Sequence, residues 1–409
     1  MKIAILSYRS HPFSGGQGIY VRHLSHALIR LGHEVYVLSG PPYPEVKSVV
    51  NLIKIPSLNL FSVDNRFKAF KLKFLFSPAD LIEWIGIMTG GFPEPYTFGK
   101  RVRKYLKKTS IQFDVILDNQ SLCYELLEIQ KKYPLVTTIH HPITKDHKLE
   151  LESATTLQER LSTNRWHGFL KMQKKVAPKL ENIVCVSSQS KSDVQDEFLI
   201  RKESIDMIWN GIDIDTFKSK DSSQIKENRI VTTASADIPL KGLKYLISSM
   251  SEILTRYPKT KLVIIGKAPS QSSIRVLIDE LDLQEKVSFH SGLSEQEVVD
   301  IYCSADIAVI PSLYEGFGFG AGEAMSCGVP LISTTSGGLK EVIGDAAIKI
   351  NAKSAKAISD AVIDLFSDDQ KKLYYSKAGR ERMEREFSWD LAAKKYLEVF
   401  MKSIEKFRN

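Results

Sequence analysis

Cysteine is scarce. The 409 residues hold only Cys123, Cys185, Cys303 and Cys327, and no two stand at C-x-x-C spacing. That excludes a disulfide scaffold, a zinc ribbon and a thioredoxin-type redox site, and it fits buried thiols in a reducing compartment. Long hydrophobic runs are also missing. The most apolar stretch, residues 74–92, is interrupted by Asp80, Glu83 and glycines. A membrane-spanning helix, which needs roughly 18 consecutive apolar residues, is therefore not expected. Lys2 leads into a brief apolar run, Ile3–Ser7, that turns polar at Tyr8–His11, so no signal peptide is read and a cytoplasmic location is expected. Internal repeats and low-complexity segments are absent. With 43% hydrophobic and 25% charged residues the composition is that of a folded globular chain, and the length implies two domains.

Acid is in short supply in one half only. Residues 1–180 carry 26 Lys and Arg against 14 Asp and Glu, a net of +12, whereas residues 181–409 have a net of −4. A basic N-terminal half suits a phosphorylated substrate or an anionic lipid surface. Nucleic acid is not an expected partner, because the other half is acidic and no nucleic-acid motif appears.

Short β-branched runs alternate with longer amphipathic ones. Lys2–Ser7, Glu34–Ser39, Val115–Leu117, Leu135–Ile139 and Ile183–Val186 read as strands. Residues Gly18–Leu31 read as a helix that Gly32 closes. The pattern restarts with strands at Arg229–Ala234, Leu262–Ile265, Val287–Phe289, Ile307–Ile310 and Pro330–Ser333, separated by helices. The expected fold class is α/β, two successive doubly wound parallel sheets joined near Lys202–Ser219. Residues Trp389–Lys406 read as a last amphipathic helix.

Two glycine-rich turns carry the chemistry. Ser14–Gly18 follows the first strand and opens a helix, an arrangement that brings backbone N–H groups close to an anion. A dinucleotide fingerprint is not met. The third glycine is missing from Gly16–Val21, and the second strand ends in Leu38-Ser39-Gly40 with no acid for a ribose hydroxyl. The second turn, Pro311–Met325, follows a strand and sets Glu315 in a loop and Glu323 in the next helix, with glycines between. Carboxylates accept hydrogen bonds from hydroxyls and a helix N-terminus suits phosphate, so a polyhydroxylated, phosphorylated ligand fits.

The run E-G-F-G-x-x-x-x-E-A-M at Glu315–Met325 resembles the donor signature of glycosyltransferase family 4, retaining GT-B enzymes that use nucleotide-sugars. Gly15–Gly18, Val186-Ser187, Asn210–Asp213 with Phe217, Lys241-Gly242, Ala305-Asp306, Cys327–Ile332 and Ser336–Ile343 agree in order, so the resemblance spans nearly the whole chain. It implies two Rossmann-like domains facing a cleft. Residues 1–204, completed by a returning helix at 390–409, would form the acceptor side, and residues 205–389 the donor side.

Carried over residue by residue, the resemblance gives Glu323 the ribose hydroxyls and places Glu315 beside the sugar and its leaving phosphate. Backbone around Phe317, Gly318 and Phe319 would contact the hexose or its phosphate. Lys241 would neutralise the diphosphate, and Gly16 would approach it from the other domain. The segment His290–Gly292 would read the nucleobase, and His140 would lie near the reacting sugar. His140, Lys241 and Glu315 are thus the expected catalytic residues. The expected donor is a nucleotide-sugar, with uridine diphosphate as carrier, and the acceptor a carbohydrate or lipid-linked hydroxyl in envelope glycan or glycolipid synthesis. The nucleotide-sugar is a substrate, so no cofactor is expected. One departure stands out. The arginine usual five or six residues before the lysine is replaced by Ser235 or Ala236, and Lys267 is a candidate substitute.

No metal is expected. Asp213-Ile214-Asp215 has the D-x-D form of a metal clamp but reads better as a turn cap, and adjacent His140 and His141 on a strand end point to opposite faces. With no second carboxylate placed as a nucleophile, front-face retention is the expected course. Basic and aromatic residues interleave in Arg66–Phe76, and more cations follow in Lys100–Lys108, which suits peripheral contact with an anionic bilayer. Three alternatives stay open: a nucleotide-sugar epimerase, a sugar phosphorylase, and a non-catalytic homologue that binds nucleotide-sugar.

Overall fold

The computed structural model describes residues 1–11, 16–63, 65–200, 205–219, 228–234, 238–268 and 273–409. They form two compact units, Met1–Ile208 with Ala392–Asn409, and Trp209–Leu391. The chain passes between units at Ile208/Trp209 and Leu391/Ala392, set against the sequence expectation of 204/205 and 389/390.

The first unit is built on strands β1 (Lys2–Ser7), β2 (Glu34–Ser39), β3 (Asn51–Lys54), β4 (Val115–Asn119), β5 (Leu135–Ile139), β6 (Ile183–Cys185) and β7 (Ile205–Met207). Their order is β3-β2-β1-β4-β5-β6-β7, all parallel. The central strands are covered on both faces, so every residue of β4 and β5, and all of β1 after Lys2, is buried. Ile5 pairs Val37 on one side and Leu117 on the other. The helix Gly16–Arg30 returns over this sheet and stops at Gly32, whose φ of 86° is the left-handed conformation of a helix end. The C-terminal helix, Trp389–Arg408, is tied to the unit through Tyr396 Oη and Thr138 Oγ1 at 2.9 Å, Asn182 Nδ2 donating to Ser403 Oγ at 3.0 Å, and Lys406 with Glu181 at 3.0 Å.

The second unit holds β8 (Arg229–Thr233), β9 (Lys261–Ile265), β10 (Val287–His290), β11 (Ile307–Ile310), β12 (Leu331–Thr334) and β13 (Ile348–Ile350), in the order β10-β9-β8-β11-β12-β13. Its core is aliphatic. Leu246, Ile247, Met250 and Ile253 of the helix Leu243–Arg256 pack with Ile230, Leu262 and Val309 of the sheet and with Val362 and Leu365 of the helix Ala355–Ser367.

The structure corrects the sequence reading in three places. β7 lies inside the stretch read as a join and is the last strand of the first sheet. β3 and β13 are edge strands with little burial, so they lack the apolar run that marks a central strand. Residues 78–88, read as a broken apolar stretch, form a helix. Pro78 stands in its first turn, Ser77 accepts from the Asp80 amide, and buried Glu83 is compensated by Arg101.

Candidate active site

Open parallel sheets bind ligands at the carboxyl ends of the strands where the order reverses. In the second unit that point lies between β8 and β11. The loop after β8 delivers Lys241, and the loop after β11 delivers Glu315. Lys241 Nζ donates to Glu315 Oε1 at 2.7 Å, and Ser312 Oγ donates to the same oxygen at 2.8 Å. The two partners are 29% and 16% exposed, so the pair is partly shielded yet still reachable.

Three missing side chains set the Glu315 loop in place. A Cβ on Gly242 would lie 2.1 Å from the Pro311 oxygen, one on Gly337 2.1 Å from the Glu315 oxygen, and one on Gly338 2.5 Å from the Gly316 oxygen. Gly242 and Gly337 also have φ of +65°. Leu313 N donates to Leu240 O at 2.7 Å, and Gly338 N donates to Glu315 O at 2.8 Å. The loop therefore lies between two others with direct backbone contact on both sides. Thr334 Oγ1 adds a bond to Ser312 O at 2.6 Å.

Glu323 stands in the helix Phe319–Ser326, whose N-cap is Gly318 at φ 114°. Tyr302 Oη donates to Gly320 O at 3.2 Å and to Glu323 Oε2 at 3.4 Å, and shares a 2.6 Å bond with Thr233 Oγ1. A phenol has one proton, so Thr233 donates to Tyr302, which passes its own proton toward the carboxylate. Burial pushes the Glu323 carboxyl up to about 7 and Glu295 adds to this, while Tyr302 and Lys241 act the other way. Tyr302 and Thr233 escaped the sequence reading because each sits on an ordinary helix or strand pattern with no motif spacing of its own, while Ser312 lies inside the second glycine-rich turn but was given no role there. Phe317 is buried and meets Phe319 edge-on at 5.2 Å, and Phe319 stacks on Trp389 at 6.3 Å.

His290 and Gly292 lie at the end of β10, at the rim of this edge. Both are exposed, His290 Nε2 bonds Ser288 Oγ at 3.2 Å, and Gly292 has φ of 71° with open space around it. Lys267 follows β9 and is exposed, while Gly266 N donates to His290 O at 2.8 Å. Ser235 and Ala236 lie outside the described residues.

In the first unit the reversal falls between β1 and β4. Gly16 is exposed at the start of its helix, and Gly18 packs so closely that a Cβ would meet the His11 oxygen at 2.1 Å. Residues 12–15, including Gly15 of the first glycine turn, lie outside the described residues. His140 follows β5. Its Nε2 lies 2.7 Å from Asn119 Oδ1, while Asn119 Nδ2 donates to Ser7 Oγ at 3.2 Å. That orientation puts the proton on Nε2 and makes Nδ1 an acceptor. Gln120 Oε1 accepts from the His140 amide at 2.6 Å, Ser190 Oγ donates to its carbonyl at 2.7 Å, and the Tyr20 ring stands edge-on at 4.7 Å. Burial and the neighbouring His141 hold the imidazole down to about 3, so it is neutral at any physiological pH.

The other polar clusters have local tasks. Asp213 accepts from Thr216 N at 3.2 Å and Thr216 Oγ1 at 2.8 Å, closing a turn. His141 Nε2 pairs with Asp146 Oδ2 at 2.7 Å, and His147 Nε2 with Asn164 Oδ1 at 3.0 Å. Among the described residues no group of three or more His, Cys, Asp or Glu side chains is arranged to hold a metal.

The profile of Glycosyltransferase Family 4 matches residues 14–216, and that of Glycosyl transferases group 1 matches residues 215–382. An MMP alpha-(1->4)-mannosyltransferase of Mycolicibacterium hassiacum is 37% identical over 416 aligned positions, covering 99% of each chain. The chain belongs to glycosyltransferase family 4. This family-4 glycosyltransferase also resembles a GDP-mannose-dependent monoacylated alpha-(1-6)-phosphatidylinositol monomannoside mannosyltransferase of Corynebacterium glutamicum. There the identity is 29%, over 42% of this chain and 46% of the relative. Among solved structures, the sucrose-phosphate synthase of Thermosynechococcus elongatus superposes with a TM-score of 0.75 at 20% identity, covering 99% of both chains. The fold is GT-B, two Rossmann-like units in one chain. The enzyme moves a sugar from a nucleotide-sugar. In its second unit the carboxylate of Glu323, the ammonium of Lys241 and the N-terminus of the helix at Phe319 share one strand edge.

Proposed function

We propose that the enzyme transfers an α-mannosyl group from a nucleotide-mannose, GDP-mannose foremost, to a hydroxyl of a carbohydrate acceptor. The observation that carries this reading is the 37% identity to an alpha-(1->4)-mannosyltransferase over 99% of both chains. The guanosine carrier follows the name of the second relative, and the uridine carrier expected from the sequence is the alternative.

Glu323 accepts the ribose hydroxyls and Lys241 faces the diphosphate. As the glycosidic bond lengthens, negative charge grows on the departing phosphate and positive charge on the sugar. Lys241 and the amides of Phe319 and Gly320 meet the first, and Glu315 lies beside the second. Donating to an anion that exists only in the transition state favours kcat over binding. His140, neutral and presenting Nδ1, accepts a hydrogen bond from a sugar hydroxyl. Transfer proceeds with retention on one face of the sugar, the departing phosphate taking the acceptor proton, and without a metal. The acceptor is free or lipid-linked, and the enzyme works at the cytoplasmic face of a membrane in envelope glycan synthesis.

The test is a donor screen at fixed mannoside acceptor, reading nucleoside diphosphate release and the anomeric configuration of the product by NMR. Turnover of GDP-mannose with an α product is expected. Turnover confined to uridine-linked sugars, or a β product, overturns the reading. Donor breakdown without acceptor, or dependence on free phosphate, points to the epimerase or phosphorylase class.

A further inference from the structure

The segment 65–76 folds over the helix Pro78–Met88 and ends in a turn of 3-10 helix, Leu72–Phe76. Phe74 is its inward anchor. It is 4% exposed and meets Phe70 edge-on at 5.8 Å, and Phe70 packs on Trp84 at 4.9 Å. With these rings turned in, the others are turned out. Phe67 is 74% exposed, Leu72 73%, Leu75 55% and Phe76 88%, and the adjoining helix adds Ile82 at 36% and Ile85 at 47%. Six large apolar side chains exposed on two adjoining elements are more than the single exposed residues that an ordinary surface carries, and they mark an interaction surface.

Arg66, Lys68, Lys71 and Lys73 are interleaved with these side chains and are themselves exposed. The acids of the adjoining helix do not answer them. Asp80 and Glu83 both pair with Arg101, each at 2.5 Å. The face is thus apolar and cationic at once. A second copy of the chain fits it poorly, since a symmetric contact brings the same four cations against each other. An anionic bilayer supplies both a hydrocarbon edge for the rings and phosphates for the ammonium groups, which reach outward on long stems.

We propose that Arg66–Phe76, with Ile82 and Ile85, is an interfacial docking face for an anionic phospholipid bilayer, with Phe67 and Phe76 as the inserting side chains. Within Lys100–Lys108, Lys100, Arg101 and Arg103 pair with Glu125, Glu83 and Glu128 and are left out of this face. The inference does not depend on the donor or on the reaction.

The full chain is mixed with vesicles of phosphatidylglycerol or of phosphatidylcholine at low and high salt, without substrate, and the bound fraction is read by sedimentation. Binding to phosphatidylglycerol alone, weakened by salt, is expected. Removing Lys71 and Lys73 as alanines lowers the partition coefficient about twenty-five-fold, at about fivefold per cation. The double variant Phe67→Ser and Phe76→Ser lowers it at least as much and keeps full turnover with a soluble acceptor. Equal pelleting with both lipids, or none with either, overturns the proposal. So does binding that survives the serine variant. A dimer in sedimentation velocity that the serine variant dissolves also overturns it, as a surface between copies.

Discussion

Tyr302→Phe removes one oxygen from the donor-side network and leaves the ring volume unchanged. The lost hydroxyl donates to Glu323 over 3.4 Å and divides its proton with Gly320 O. A bond that long and shared lies at the lower end for a charged acceptor, about 1.5 kcal/mol, or about one pKa unit. The Glu323 carboxyl, held at about 7 in the intact network, then titrates near 8. If the carboxylate is the form that accepts the ribose hydroxyls, the competent fraction at pH 7 falls about fivefold, from one half to roughly a tenth. At pH 9 both enzymes are almost fully ionised and the difference shrinks to about 1.1-fold. Donor KM, taken from initial rates of nucleoside diphosphate release across pH 6–9, should show a Tyr302→Phe to wild-type ratio that falls from about nine at pH 6 through about five at pH 7 to near one at pH 9. The orphaned Thr233 hydroxyl lowers the melting temperature at every pH, so stability and KM separate. In Glu323→Gln the donor KM should be high and flat over the same range. A ratio that stays constant with pH, or a change confined to kcat, would refute the role given to this proton.

Lys241→Ala should lower kcat more than it raises donor KM, because the phosphate charge grows on bond breaking; an equal rise in KM at unchanged kcat would show uniform binding instead. Gly242→Ala places a methyl 2.1 Å from the Pro311 oxygen at φ 65° and should cost more than about 2 kcal/mol in chemical denaturation. Gly292→Ala, at φ 71° but in open space, should cost only about 1 kcal/mol, and equal losses in the two variants would remove the steric argument. EDTA should leave turnover unchanged, with strict Mn²⁺ dependence as the contrary result.

The doubly wound architecture was legible because both sheets bury their central strands on two faces, so β1, β4, β5, β8 and β11 appear as short runs rich in β-branched and aliphatic residues between helices. Of the four edge strands only β10 was read, from Val287–Phe289; β3, β7 and β13 were not, since three or four residues with little continuous burial carry a pattern close to that of a loop. Glu315 could be named from glycine-rich spacing, because a backbone that must pass another within contact distance leaves a visible glycine, whereas Lys241 could be named only through the family resemblance. Tyr302 could not be named. Its oxygen reaches Glu323 from a neighbouring helix across 21 positions of sequence, and nothing in the run around it differs from a helix that merely packs. The tautomer of His140 is likewise invisible in the chain, because it depends on which way Asn119 turns its amide.

The glycines on either side of the Glu315 loop have a consequence for anyone who wishes to change the donor. Residues 311–317, 241–242 and 336–338 are far apart in the chain but mechanically a single part, a ribbon clamped on both sides by two bare backbones. A loop transplanted from another enzyme without its two jaws would meet side chains where it needs none. With the donor placed beside Glu315 as proposed, its preference would be exchangeable between relatives only as a three-piece cassette. A library randomised over the middle piece alone should be filled mainly with proteins that fail to seat the carboxylate.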